Sequence, residues 1–133
     1  CTCWTTVHCE DTWQIPDRIV QMASRESDRD SFENDVFTFF DLGIKIAKKS
    51  TESGVRRRVD QVCFFDREDK KNNTIVFMKN GEYTGADFPQ SFVDKFIESG
   101  YGNIIDEYKE IQKQIRQQKT RGNVSVTETK QKS

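Results

Sequence analysis

Four cysteines and one histidine are the residues of this chain whose types suggest chemistry. They are Cys1, Cys3, Cys9, Cys63 and His8. Three of the cysteines fall within the first nine residues, and none has the paired Cys-x-x-Cys spacing of a zinc ribbon or a redox motif. An even number of cysteines in a small chain suggests two disulfides formed in an oxidising compartment, with the pairing open at this point. His8 has no acidic partner at a diagnostic spacing and no nucleophile motif around it, which speaks against a Cys/His hydrolase. Asp66-Arg67-Glu68-Asp69 resembles a calcium loop only superficially, because it has neither the turn glycine nor a following bidentate Glu. Arg56-Arg57-Arg58 is a candidate contact for polyanionic glycans, although three bases on one strand are as a rule a solvated face. Asn72-Asn73-Thr74 and Asn123-Val124-Ser125 are glycosylation sequons in polar stretches, which makes Asn72 and Asn123 the acceptor candidates.

The chain that must position these residues is 133 long, enough for one domain. Charged residues make up 32% and apolar ones 34%, so the expected core is compact and part of the chain is expected to be unstructured. No apolar run approaches the roughly 18 residues of a membrane span. A net charge of −1 argues against broad non-specific binding to nucleic acid. A single histidine excludes His-rich metal sites. Ile, Val and Phe occur ten times each against one Leu, Leu42, a bias toward β-branched and aromatic residues that favours sheet. A first residue that is Cys, with no initiator Met, fits a secreted protein after removal of its signal peptide. A trimmed cytosolic chain and a bacterial lipoprotein are the alternatives.

Hydrophobic periodicity then supplies the elements. Residues 59–65 and 74–78 read as strands, and Asn80-Gly81 supplies the two positive-φ positions of a type I′ turn leading into Glu82-Tyr83-Thr84. Residues 32–47 fit a helical face, through Phe32, Val36, Phe37, Phe40, Ile44 and Ala47, and residues 36–46 fit a period-2 strand equally well. The run of β-branched and aromatic residues, together with Gly43, favours the strand. Residues 17–24 lean the same way, Pro16 being able to start either element. Residues 89–118 carry apolar side chains at spacings of three and four, divided by Gly100 and Gly102 into a short helix and a longer one. From about Thr120 there is little to bury, so 120–133 reads as a disordered tail after a single domain over 1–119. The expected order is β-β-β-β-β-α, a mainly β fold.

Cys1-Thr2-Cys3 at the N-terminus, Cys9 soon after and Val62-Cys63 about sixty residues on resemble the netrin-like module, in particular the N-terminal domain of the tissue inhibitors of metalloproteinases. The resemblance covers roughly residues 1–105. Asp17-Arg18-Ile19-Val20 sits where the family's first strand begins, and Phe40-Asp41-Leu42-Gly43-Ile44-Lys45-Ile46 looks like its second. Gln61-Val62-Cys63-Phe64-Phe65 is similar to the family's Ser-Val-Cys step, Asn80-Gly81 falls at its last turn, and residues 88–100 resemble its closing helical stretch. The fold implied is a five-stranded OB-type barrel with a C-terminal helix and a disulfide-anchored N-terminal segment. The family's domain has six cysteines, and its distal positions hold none here, which puts the geometry of the N-terminal strip in question.

The resemblance implies a Cys1–Cys63 bridge and, with it, Cys3–Cys9. It further implies a secreted inhibitor, not an enzyme and without a cofactor, that acts on an extracellular zinc metalloprotease. A catalytic zinc keeps one open position beside its three protein ligands. In the inhibitors that this chain resembles, the α-amine and carbonyl of the first cysteine occupy it, so Cys1 would bind the target's zinc in trans. An α-amine of pKa about 7.7 gives up its proton for this at little cost. Thr2 would enter the specificity pocket, Cys3 and Trp4 would lie along the cleft, and Asp60, Gln61 and Val62 would form a second contact edge. The alternative is a netrin-like binding or immune-modulating module on the same scaffold, without inhibition, whose partner is another extracellular protein. Neither reading involves nucleic acid or a membrane span.

Overall fold

A computed structural model of the chain describes residues 4–23, 31, 35–36, 38–66 and 74–131, with side chains through residue 122. The chain forms two compact units, Cys1–Thr84 and Gly85–Ser133. Among the described residues the architecture is mixed: an open antiparallel sheet of four strands accompanied by helices, not a closed five-stranded barrel. The β-rich character expected from composition is present in the first unit.

That unit opens with a 3-10 turn, Thr12–Gln14, followed by helix α1, Ile15–Ala23. The strand expected over 17–24 is therefore corrected to a helix. Pro16 sits in the first turn, where its missing N–H has no intrahelical partner to lose. Pro16 and Val20, four apart, are buried, while Asp17, Arg18 and Gln21 are exposed. The strand expected over 36–46 is shortened in the same way. Residues 35, 36, 38 and 39 are helical, and the Phe40 N–H donates to the Val36 carbonyl at 2.9 Å, closing a last helical turn before the sheet begins.

Strands β1 (Leu42–Thr51), β2 (Gly54–Phe65), β3 (Thr74–Lys79) and β4 (Glu82–Tyr83) form a meander in sequence order. Leu42 pairs with Phe64 and Ile44 with Val62, and Thr51 closes the hairpin opposite Gly54. The ladder slips once between Lys45 and Ile46, which face Gln61 and Val59, leaving Asp60 unopposed as a bulge. The β3–β4 connection has the geometry expected of Asn80-Gly81: Asn80 has φ 54° and Gly81 φ 77°, as a type I′ turn requires.

Val20, Val36, Cys63, Phe64, Phe65 and Phe77 make up this unit's buried apolar core. Phe77 meets Phe64 and Tyr83 edge-on, with ring centroids 5.2 and 5.5 Å apart, contacts that add roughly 1 kcal/mol each beyond burial. Gly43 is needed for its missing side chain. A Cβ there would stand 2.8 Å from Ile15 Cδ1 and 3.3 Å from the Phe65 ring.

In the second unit the helical reading of 89–118 holds as two helices, α2 (Gln90–Glu98) and α3 (Asn103–Gln131). Gly100, at φ 81°, takes the left-handed position that ends α2. Phe88 packs on Phe96 and Tyr108, at 5.5 and 5.0 Å between centroids. The Tyr108 hydroxyl donates to the Ala86 carbonyl at 2.8 Å, and buried Gln112 donates to the Gly85 carbonyl at 3.2 Å and to Asp87 Oδ1 at 2.8 Å. The backbone of α3 continues to Gln131, so residues 120–131 are helical where composition suggested disorder. Residues 122–128, Gly-Asn-Val-Ser-Val-Thr-Glu, are mostly weak helix formers, so this end of α3 rests on extension of a helix already nucleated upstream, and no proline stops it.

Candidate functional site

Residues 4–9 run as an irregular strip beside the start of β1, and the two enclose a groove of about 410 Å³. Thr5, Val7 and Cys9 line it from the strip, and Leu42, Ile44 and Ile46 from β1. Trp4, at the strip's outer end, is 87% exposed.

The base of the strip is held by β2. Gln61 is only 4% exposed and Thr12 only 1%. The Thr12 backbone N–H donates to Gln61 Oε1 at 2.9 Å, and the Thr12 hydroxyl donates to the same oxygen at 3.3 Å. Gln61 Nε2 donates in turn to Asp11 Oδ1 at 2.7 Å. Lys45 Nζ adds a bond to the Glu10 carbonyl. Asp11 and Thr12 stay in place because they open the 3-10 turn: the Gln14 N–H donates to the Asp11 carbonyl at 3.1 Å and the Asp11 N–H to Gln14 Oε1 at 3.3 Å. Beyond this turn, Lys79 Nζ lies 5.5 Å from the centre of the Trp13 ring.

Of the residues expected to contact a protease, Trp4 lies on the exposed strip, whereas Cys1, Thr2 and Cys3 lie outside the described residues. Gln61 points inward and clamps the strip. Asp60 Oδ1 accepts from Arg58 Nη2 at 3.3 Å, and its carbonyl accepts the Gly81 N–H at 2.9 Å. Half-buried Val62 sits between Ile44 and Met78 in the sheet. Strip and β2 are thus neighbours, but the meeting point is Gln61 with Asp11 and Thr12. Neither of the last two was singled out from sequence. The signal for them is the acid at position 11 followed three residues later by Gln14, the pattern of a helix start.

Cys9 and Cys63 carry free thiols in the structure, and each bridge of the Cys1–Cys63 and Cys3–Cys9 pairing involves a residue, Cys1 or Cys3, outside the described residues. Cys63 is fully buried, closed in by its neighbours in the sheet. Burial pushes its thiol up to about 12, against a smaller opposing effect of a hydrogen bond with the Thr12 side chain. Among the described residues no group of three or more His, Cys, Asp or Glu side chains could hold a metal, and His8 is exposed. No described helix is long and apolar enough to cross a membrane. The acceptor candidate Asn72 lies outside the described residues, and the backbone of Asn123 lies in α3.

No protein-family model matches this chain, and no curated protein or solved structure matches it at a significant level.

Proposed function

We propose that this protein is a non-enzymatic, extracellular protein-binding module of the netrin-like type that works through its N-terminal strip, and that its target is a zinc metalloprotease. The observation that carries the reading is the Gln61 clamp. Three hydrogen bonds from one buried side chain fix Asp11 and Thr12 on β2, so the strip leaves the sheet from a set point. Preorganisation of this kind lowers the entropy cost of binding. On this reading the hydrogen bonds supply the anchorage that the family obtains from a bridge. The strip and β1 line one groove, which supports reading the strip as a contact segment beside the sheet. The α-amine and carbonyl of Cys1 take the open position of the target's zinc, Thr2 fills the specificity pocket, and Cys3 and exposed Trp4 extend along the cleft.

The test is titration of a panel of zinc metalloproteases with protein whose N-terminal residue is confirmed as Cys1 by mass spectrometry. Stoichiometric inhibition that disappears when one alanine is added before Cys1 is the expected result, because the extension removes the chelating amine. The free thiol of Cys63 favours a second reading, a binding module without inhibition, since no bridge then ties Cys1 to β2. Absence of inhibition at micromolar concentration by folded protein selects it.

A further inference from the structure

Beyond the bulge at Asp60, β1 and β2 continue as a two-stranded ribbon that no third strand joins among the described residues, β3 pairing only with residues 62–65 of β2. Residues 46–59 are exposed except for partly buried Ala47, and the ribbon buries almost nothing. Within it Lys48 stands directly opposite Arg57 and Lys49 directly opposite Arg56. Like charges opposed across an antiparallel pair are destabilising. None of the four has an ion-pair partner among the described residues, whereas the next base, Arg58, pairs with Asp60. Glu52, in the turn, is the ribbon's one carboxylate. The two opposed pairs fall on alternate faces, so positive charge rings the arm.

We propose that this ribbon is a binding arm for a linear sulfated polysaccharide, with Lys48, Lys49, Arg56 and Arg57 as its contacts. Sulfate groups spaced along a flexible chain can relieve both like-charge pairs at once, and guanidinium groups bind such oxyanions through paired N–H donors. Nucleic acid fits less well. Residues 45–59 contain no aromatic side chain on which unpaired bases could stack. A duplex is held by many phosphate contacts spread over a basic surface, and this chain's net charge is −1. The arm is separate from the N-terminal strip, so the inference stands or falls independently of protease inhibition.

The experiment measures heparin binding by calorimetry in 0.15 M NaCl, using the full chain. Its variants are Lys48→Gln with Arg57→Gln, Lys49→Gln with Arg56→Gln, and all four together. A control replaces four exposed bases of α3, Lys109, Lys113, Arg116 and Lys119, with Gln. The expected result is salt-sensitive binding that falls at least tenfold in the fourfold ribbon variant and less than twofold in the control, with partial losses in the paired variants. Melting temperatures unchanged or raised in the ribbon variants establish that they fold, since their repulsion is relieved. Three outcomes overturn the proposal: no binding of heparin by the unaltered protein at 100 µM, equal loss in ribbon and control variants, or displacement of heparin by duplex or single-stranded DNA at equal or lower concentration.

Discussion

Gln61 and Thr12, separated by 49 positions in the chain, share one buried acceptor: Gln61 Oε1 takes both the backbone N–H and the hydroxyl of Thr12. Replacing Gln61 with Leu leaves that N–H without a partner in a site closed to water. The expected cost is about 2 kcal/mol in denaturant unfolding. Amide exchange should rise at Thr12 and along residues 4–9, with the β3–β4 hairpin unaffected at the sub-global level. A loss of stability without any change in the strip's exchange would show that Gln61 does not anchor it.

Cys63 makes stability depend on pH at the alkaline end. Its thiol is raised in the folded protein to about 12 from an ordinary value of 9.0. The unfolded chain therefore gives up this proton first, and its contribution is complete below pH 9 and lost as pH climbs toward 12. Each unit of separation corresponds to roughly 1.4 kcal/mol. Unfolding measured from pH 8 to 10.5 should become steadily easier, and Cys63→Ala should flatten part of that slope. In native protein at pH 8 a maleimide should modify half-buried Cys9 well before Cys63, which should react only on unfolding.

Gly43 faces Ile15 Cδ1 and the Phe65 ring. The tighter of these contacts is with the end of a flexible side chain, so Gly43→Ala should cost only about 1 kcal/mol. Ile15→Val removes the offending methyl, and in the double variant the two effects should not add. A simple sum in the double-mutant cycle would place the strain elsewhere.

In the second unit, Tyr108→Phe removes the bond to the Ala86 carbonyl while retaining the stack on Phe88. About 1 kcal/mol is expected. Gln112→Leu should cost more, because it strips the donor from both the Gly85 carbonyl and Asp87. Equal values for the two would mean that water readily replaces the amide of Gln112.

The features legible from sequence are those that local chemistry decides. Asn80-Gly81 demands its turn whatever surrounds it, and the alternation in 59–65 and 74–78 suits only a sheet. The three- and four-residue spacing of 89–118, with Gly100 to stop the first helix, likewise needs no tertiary context. The segments that misled are those where β-branched residues lie at spacings compatible with both periods. Ile15, Ile19 and Val20 satisfy a strand by type but a helix by position, and packing decides for the helix. Around residue 36 the same conflict is resolved by the bond from Phe40 to Val36. At the site, the resemblance pointed to residues 60–62 as a contact edge, but no pattern within one strand tells that Gln61 turns inward to meet a turn so far away in the chain.

Between Gly54 and Phe64, Asp60 is the one residue of β2 without a counterpart on β1, which gives the ladder a spare position. Removing that residue would let Gln61 follow Val59 directly and leave each remaining side chain on the face it now occupies. Deleting Arg58 or Val62 instead would shift the alternation and turn neighbouring residues over, core side chains outward and arginines inward. A scan of single-residue deletions along β2 should therefore find one tolerated gap, at Asp60. Survivors of that deletion would carry a straighter arm, no longer tethered by the bonds of Asp60 to Arg58 and Gly81.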